Sequence, residues 1–293
     1  MHAAHLAKLR ASPASRRVWL FGAGADSALH QEMAACGAQV LIQDLEDFTP
    51  PELRPQARAL TTALYSMWQA SGALSCVRIN PLSGEGMTDL KAVMAARPDI
   101  VAYPKAEHGH DMRELDAAIT QLEKQWDMPH SSVEILPVCE TALGVLNVRE
   151  LAASSPRIRA ALLGAEDLAT DLQAERGPDA VELDHARRHF LLQCRAARIE
   201  PIDAPYTFHD AQGAASEARY ARRLGYRTKS LVRTNHVAPV LQALTPSAQE
   251  LADAREVVQT FEAARARGED RVLVGNQWIE VPTYLNAKRL LAS

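Results

Sequence analysis

The sequence predicts an α/β protein built as a (β/α)8 TIM barrel with a helical tail, and three observations carry that prediction. Short apolar runs of strand length recur about every 25 to 35 residues along the chain and alternate with amphipathic helical stretches. That order places parallel strands inside a ring of helices. Eight such runs follow one another with no long linker between them. Charged residues also gather where a barrel keeps its chemistry: Asp44, Glu46, Arg78, Lys105, Glu140 and Asp167 fall at the C-terminal ends of expected strands.

In chain order the runs are Val18 to Phe21, Val40 to Ile42, Leu74 to Ile79, Ile100 to Tyr103, Val133 to Val138, Ala160 to Leu163, Pro201 to Ala204 and Ser230 to Val232. The first crossing has a second reading. Gly22-Ala23-Gly24 follows a strand and Asp44 ends the next, as in a dinucleotide fold. Ser27 stands where that fingerprint needs its third glycine, and a dinucleotide domain gives no reason for the charged residues on later strand ends. After the eighth run, Pro246 to Arg267 reads as a long helix with Gly268 at its end. Arg271 to Gly275, Trp278 to Pro282 and a last helix from about Thr283 complete the tail. The expected organisation is a barrel over 1–245 and a helical extension over 246–293.

With 47% hydrophobic and 23% charged residues among 293, the chain can bury a substantial core. A formal charge of −4 with interspersed signs gives no basic stripe for nucleic acid. Arg187, Arg188, Arg195 and Arg198 fall at helical spacing and are expected on solvated helix faces. No apolar run approaches a membrane span and no signal-peptide core is visible, so a cytoplasmic protein without a membrane partner is expected. Cys36, Cys76, Cys139 and Cys194 form no C-x-x-C pair and read as buried or free thiols. Cys139 adjoins Glu140, but strand alternation sends it to the opposite face.

The chemistry concentrates in V-C-E-T-A-L-G-V-L-N, Val138 to Asn147, and L-L-G-A-E-D-L, Leu162 to Leu168. These put Glu140 and Asp167 at the ends of consecutive buried strands. Two hard oxygen ligands suit Mg²⁺, which keeps several waters and takes one or two carboxylates from protein. The same pair could cap helices beginning at Thr141 and Leu168, a role compatible with metal binding. Lys105 could be a Schiff-base lysine. Nearby Glu107, Glu140 and Asp167 would keep it charged, which favours an ion-pair role with rim carboxylates. His185 with His189, and His108-Gly109-His110, offer metal-like spacings without an evident third ligand.

Together with D-L-E-D (Asp44 to Asp47), V-R-I-N-P (Val77 to Pro81) and Y-P-K-A-E (Tyr103 to Glu107), these motifs resemble the citrate lyase β-subunit-like family, which includes malyl-CoA and citramalyl-CoA lyases. The resemblance covers almost the whole chain from about Arg17. It implies Mg²⁺ held by Glu140 and Asp167, a 2-oxo acid bound by Arg78 with Lys105 nearby, and Glu46 and Asp47 orienting Arg78 and metal-bound waters. The implied reaction is reversible cleavage of a 3-hydroxyacyl thioester, the thioester carried by coenzyme A or an acyl carrier. It also implies a trimer or hexamer whose tail packs on a neighbouring subunit and supplies an acid–base carboxylate, here Glu280 where relatives carry aspartate. The chain departs from the family pattern at Asp26 and Glu32, which stand where relatives carry basic residues for coenzyme A phosphates. It also has Leu231-Val232-Arg233-Thr234-Asn235-His236 where I-H-P-x-Q is expected. The alternatives are a Mg²⁺-dependent aldolase acting on a free hydroxy-oxo acid and a non-catalytic subunit that binds the oxo acid.

Overall fold

The computed structural model describes residues 2–292. They form two compact units, which meet in sequence between Leu244 and Thr245. In the first, eight parallel strands close into a barrel in sequence order: β1 (Val18–Ala23), β2 (Val40–Asp44), β3 (Leu74–Arg78), β4 (Ile100–Tyr103), β5 (Glu134–Cys139), β6 (Ala160–Leu163), β7 (Glu200–Tyr206) and β8 (Thr228–Leu231), with β8 returning to β1. All eight expected strands form. The last begins two residues before its apolar signal, because Thr228 and Lys229 are buried polar residues that pair with β7 and β1.

Alternation along each strand divides the core in two. Trp19, Phe21, Val40, Ile42, Leu74, Cys76, Leu136, Val138 and Leu162 fill the barrel's interior. Val18, Leu20, Leu41, Val77, Cys139 and Leu163 pack outward under the helices. Cys139 thus faces away from the interior, and all four cysteines are free. The helix His2–Ala11, which the sequence reading did not anticipate, adds Leu6 and Leu9 to the interior core. Arg16 joins it to the barrel: wholly buried, it pairs with both oxygens of Glu134 at 2.6 and 2.7 Å and donates to the Leu9 carbonyl at 2.7 Å.

One expectation about the outer layer needs correction. Arg187 is not on a solvated face. It is 1% exposed, grips Asp203 at 2.7 and 2.9 Å, and shares Glu217 and the buried Lys229 in one ion network between helix and wall. The glycines of the Gly-Ala-Gly segment, whose dinucleotide reading the sequence already disfavours, serve packing. Gly22 lies within β1, and Gly24 lets the chain turn close to β2, since a Cβ there would meet the Asp44 carbonyl oxygen at 2.5 Å. Among the described residues no helix is long and apolar enough to cross a membrane.

The second unit comprises the helix Ala248–Ala266, an antiparallel hairpin of β9 (Val272–Val274) and β10 (Gln277–Ile279), and the helix Val281–Leu291. Ser247 and Glu250 form a reciprocal cap on the first of these helices. Gly275 takes a φ of +58° at the hairpin turn, a conformation glycine adopts without steric cost. Phe261 and Tyr284 stack at 4.8 Å to join the two helices.

Candidate active site

Three inward-facing rows of side chains end in charge. On β2 the row Val40, Ile42 ends at Asp44; on β3 the row Leu74, Cys76 ends at Arg78; on β5 the row Leu136, Val138 is continued by Glu140. Asp44 and Arg78 are register partners on neighbouring parallel strands, so their side chains rise from the same face and meet. The Arg78 Nε donates to Asp44 Oδ1 at 3.0 Å and its Nη2 to Oδ2, while Nη1 stands 2.9 Å from Glu46 and 4.0 Å from Glu140. Phe21 and Phe48 flank the guanidinium at 5.3 and 5.5 Å. Asp44 also accepts from the Glu46 N–H at 2.8 Å and the Phe48 N–H at 3.3 Å, so one wholly buried carboxylate sets both the arginine and the loop after β2.

The expected partnership of Asp47 with Arg78 is thereby corrected: Asp44 and Glu46 are the carboxylates that hold the arginine, and Asp47 is turned to Lys105 at 3.7 Å. The Lys105 ammonium lies 2.8 Å from Glu46 and 3.7 Å from Asp167, which is the ion-pair arrangement expected for it, with Glu46 rather than Glu107 as its nearest carboxylate. Its own N–H donates to Glu140 Oε1 at 2.8 Å. Burial works against the Lys105 charge, but the hydrogen bond and charge of Glu46 outweigh it and the ammonium is held more firmly than usual.

Glu140 is 4% exposed and sits directly over Gly164, where any Cβ would come within 2.4 Å of its own Cβ. Burial pushes its carboxyl up to about 7, against the opposing pull of Arg78 and the Lys105 N–H. Burial also raises Glu46. The capping expectation fails at Glu140, because Thr141 takes that role with its side chain accepting from the Gly144 N–H at 3.1 Å. Asp167 is not at the strand end itself: β6 stops at Leu163, and Asp167 lies in the first turn of the helix Glu166–Asp171, where the helix dipole favours a carboxylate. Phe21, Arg78, Val138, Glu140, Gly164 and Asp167 are among the residues lining a cavity of about 140 Å³ at this rim. That is room for a small organic acid.

Elsewhere the rim is different. Asp26 is exposed and caps the helix Ser27–Ala35, accepting from the Leu29 N–H at 3.0 Å, and Glu32 is exposed on that helix. Glu280 belongs to the second unit, where it occupies the N-cap position of the helix Val281–Leu291, exposed and making no side-chain cap bond. The rings of His185 and His189 stack at 6.2 Å, and those of His108 and His110 at 5.3 Å. Among the described residues no group of three or more His, Cys, Asp or Glu is arranged to hold a metal. Sequence reasoning missed Asp44 as the partner of Arg78, although both end inward rows two residues after an apolar one. It also missed the aromatic pair around the guanidinium, whose members come from two separate strand ends.

With this geometry in hand, comparison with known proteins is decisive. Residues 17–234 match the HpcH/HpaI aldolase/citrate lyase family. The chain belongs to this family. It is 32% identical to the citrate lyase subunit beta of Leuconostoc mesenteroides subsp. cremoris, over 94% of this chain and 92% of that protein. It is 30% identical to an L-malyl-CoA/beta-methylmalyl-CoA lyase of Cereibacter sphaeroides, over 96% of each. The solved structure of the protein CitE from Mycobacterium tuberculosis in complex with magnesium, acetoacetate and coenzyme A superposes with a TM-score of 0.76 at 26% identity, over 94% of this chain and 97% of that one. A citrate lyase from Burkholderia xenovorans LB400 shares the fold with a TM-score of 0.81 at 19% identity. This HpcH/HpaI-family chain is therefore a member of a carbon–carbon lyase family with the barrel of citrate lyase β subunits.

Proposed function

We propose that the chain is a Mg²⁺-dependent carbon–carbon lyase that cleaves a 3-hydroxyacyl thioester of malyl, citramalyl or citryl type into an acyl thioester and a 2-oxo acid. The observation that carries this reading is the Asp44–Arg78–Glu140 constellation, three buried ionisable groups of which Arg78 and Glu140 line one small cavity and Asp44 holds the arginine from behind. The donor set fits Mg²⁺. Five carboxylates, Asp44, Glu46, Asp47, Glu140 and Asp167, meet only two cations, Arg78 and Lys105. The glycine at 164 leaves the Glu140 carboxylate room that a side chain would fill. Glu140 and Asp167 would hold the ion, and the magnesium in the relatives' solved structures supports Mg²⁺ as the cofactor. When bound, the ion supplies Lewis-acid polarisation of an oxygen and neutralises developing charge.

The chain's own residues do the rest. Two of the five Arg78 N–H groups are hydrogen-bonded to Asp44 and Nη1 forms an ion pair with Glu46, which leaves donors on the outer nitrogens for a substrate carboxylate. Asp44 and the flanking rings fix the plane in which those donors point. Lys105 presents a second cation to the substrate acid. Cleavage removes the proton from the 3-hydroxyl, breaks the bond between C2 and C3 and leaves the thioester enolate, which takes a proton at C2 to give the acyl thioester. Glu280 is proposed as the carboxylate that moves these protons, contributed by the tail of a neighbouring subunit in a trimer or hexamer. A cytoplasmic location belongs to the same proposal.

One observation favours a second reading, in which the substrate is a free hydroxy-oxo acid: Asp26 and Glu32 place negative charge beside β1, where a phosphate would be repelled. The test is Mg²⁺-dependent release of 2-oxo acid from malyl, citramalyl and citryl thioesters set beside the free acids, with Glu140→Ala as the blank. Release from a thioester supports the first reading. Release from free acids alone moves the second to the front, and no release from either defeats both.

A further inference from the structure

Lys105 is tied to four of the five carboxylates at the candidate metal position, all but Asp44. Its N–H binds Glu140 at 2.8 Å, and its ammonium stands 2.8 Å from Glu46 and 3.7 Å from both Asp47 and Asp167. The residue adopts a φ of +46°, a left-handed conformation that L side chains take up only when the surroundings hold them there. That turn lets backbone and side chain of one residue reach opposite sides of the carboxylate group. The side chain is 42% exposed, so the ammonium can leave for solvent without opening the core.

We propose that Lys105 is a built-in counter-cation: its ammonium neutralises the Glu46–Asp47–Asp167 cluster when no metal is present, and a divalent cation must compete with it to bind. The inference rests on the assignment of Glu140 and Asp167 as metal ligands. It adds a function for the lysine that is separate from substrate binding, namely setting the metal concentration at which the site fills. A fixed positive charge this close to Asp167 disfavours a second cation there, and the effect is reduced but not removed by partial exposure.

The experiment is calorimetric titration of metal-free wild-type, Lys105→Met and Lys105→Arg proteins with Mg²⁺ in the absence of substrate, alongside thermal melts with and without the ion. Both variants keep the backbone N–H that binds Glu140, and neither changes the left-handed requirement, which applies to all non-glycine residues. Lys105→Met is expected to bind Mg²⁺ about three- to tenfold more tightly and to melt lower than wild type only when metal-free. Lys105→Arg, which keeps the charge, is expected to stay within about twofold of wild type. Unchanged or weaker Mg²⁺ binding by Lys105→Met, with the wild type binding normally, overturns the counter-cation. Wild-type protein that takes up no Mg²⁺ overturns the metal assignment itself, and the inference with it.

Discussion

On the β2 to β6 side of the rim, Asp44, Arg78 and Glu140 are each 5% exposed or less, and Arg78 links the two carboxylates. On the β1 side, Asp26 and Glu32 stand in solvent, one of them engaged in capping its own helix. The first set is interlocked, so changing any member leaves a buried charge without its partner. The second is made of independent surface residues that can change one at a time. The contrast teaches where this barrel has fixed its chemistry and where it is free to vary. The side proposed to hold the oxo acid is rigidly specified, and the side proposed to face the acyl donor is not.

The largest expected effect falls on turnover. Removing Glu140 or Arg78 by alanine substitution should lower the rate of carbon–carbon cleavage by roughly a thousandfold or more in a steady-state assay. An activity loss of the same size from Glu32→Ala would erase the contrast between the two sides. Next comes stability at the interlocked side. Asp44→Ala strands the Arg78 guanidinium and should cost about 3–5 kcal/mol, seen as a melting temperature lower by at least about 6 °C.

A pH dependence of stability should mark the same side. The Glu140 carboxyl sits at about 7 against an ordinary value of 4.5, so the folded protein keeps a proton that the unfolded chain gives up. The resulting stability is fully present below about pH 4.5, falls as pH rises toward 7, and levels off above it. Metal-free protein should lose on the order of 3 kcal/mol across that window through this group, and Glu140→Gln should lose correspondingly less in melts at stepped pH. The smallest effect belongs to the β1 side. Asp26→Ala removes one helix cap and should cost about 1 kcal/mol by denaturant titration. A cost equal to that of Asp44→Ala would mean that Asp26 belongs to a network of its own.

Much of this was legible in the sequence, and the reason is alternation. Inward rows of apolar residues ending in Asp44, Arg78 and Glu140 can be read directly, because period two fixes which face each terminal charge occupies. Lys105 was legible as an ion-pair residue but not with its partner, since a left-handed backbone at the end of β4 redirects it to Glu46. The partnership of Asp44 with Arg78 was not legible, because only register decides that the two oppose each other. The Arg187–Asp203–Lys229–Glu217 network was hidden because its charges lie in runs that look like solvated helix and interrupted strand, and only tertiary packing pairs them. The cap formed by Asp26 was equally hidden, because its position relative to the helix Ser27–Ala35 depends on where β1 ends.

The central claim is that the interlocked side binds a 2-oxo acid with Mg²⁺ independently of the acyl donor. Its most direct test is calorimetric titration of the wild-type protein with pyruvate, oxaloacetate and glyoxylate, with and without Mg²⁺ and with and without coenzyme A. The account predicts that at least one oxo acid binds when Mg²⁺ is present, that this binding disappears in Arg78→Ala, and that coenzyme A leaves it unchanged. Oxo-acid binding that needs no Mg²⁺, or that appears only with coenzyme A, would contradict it.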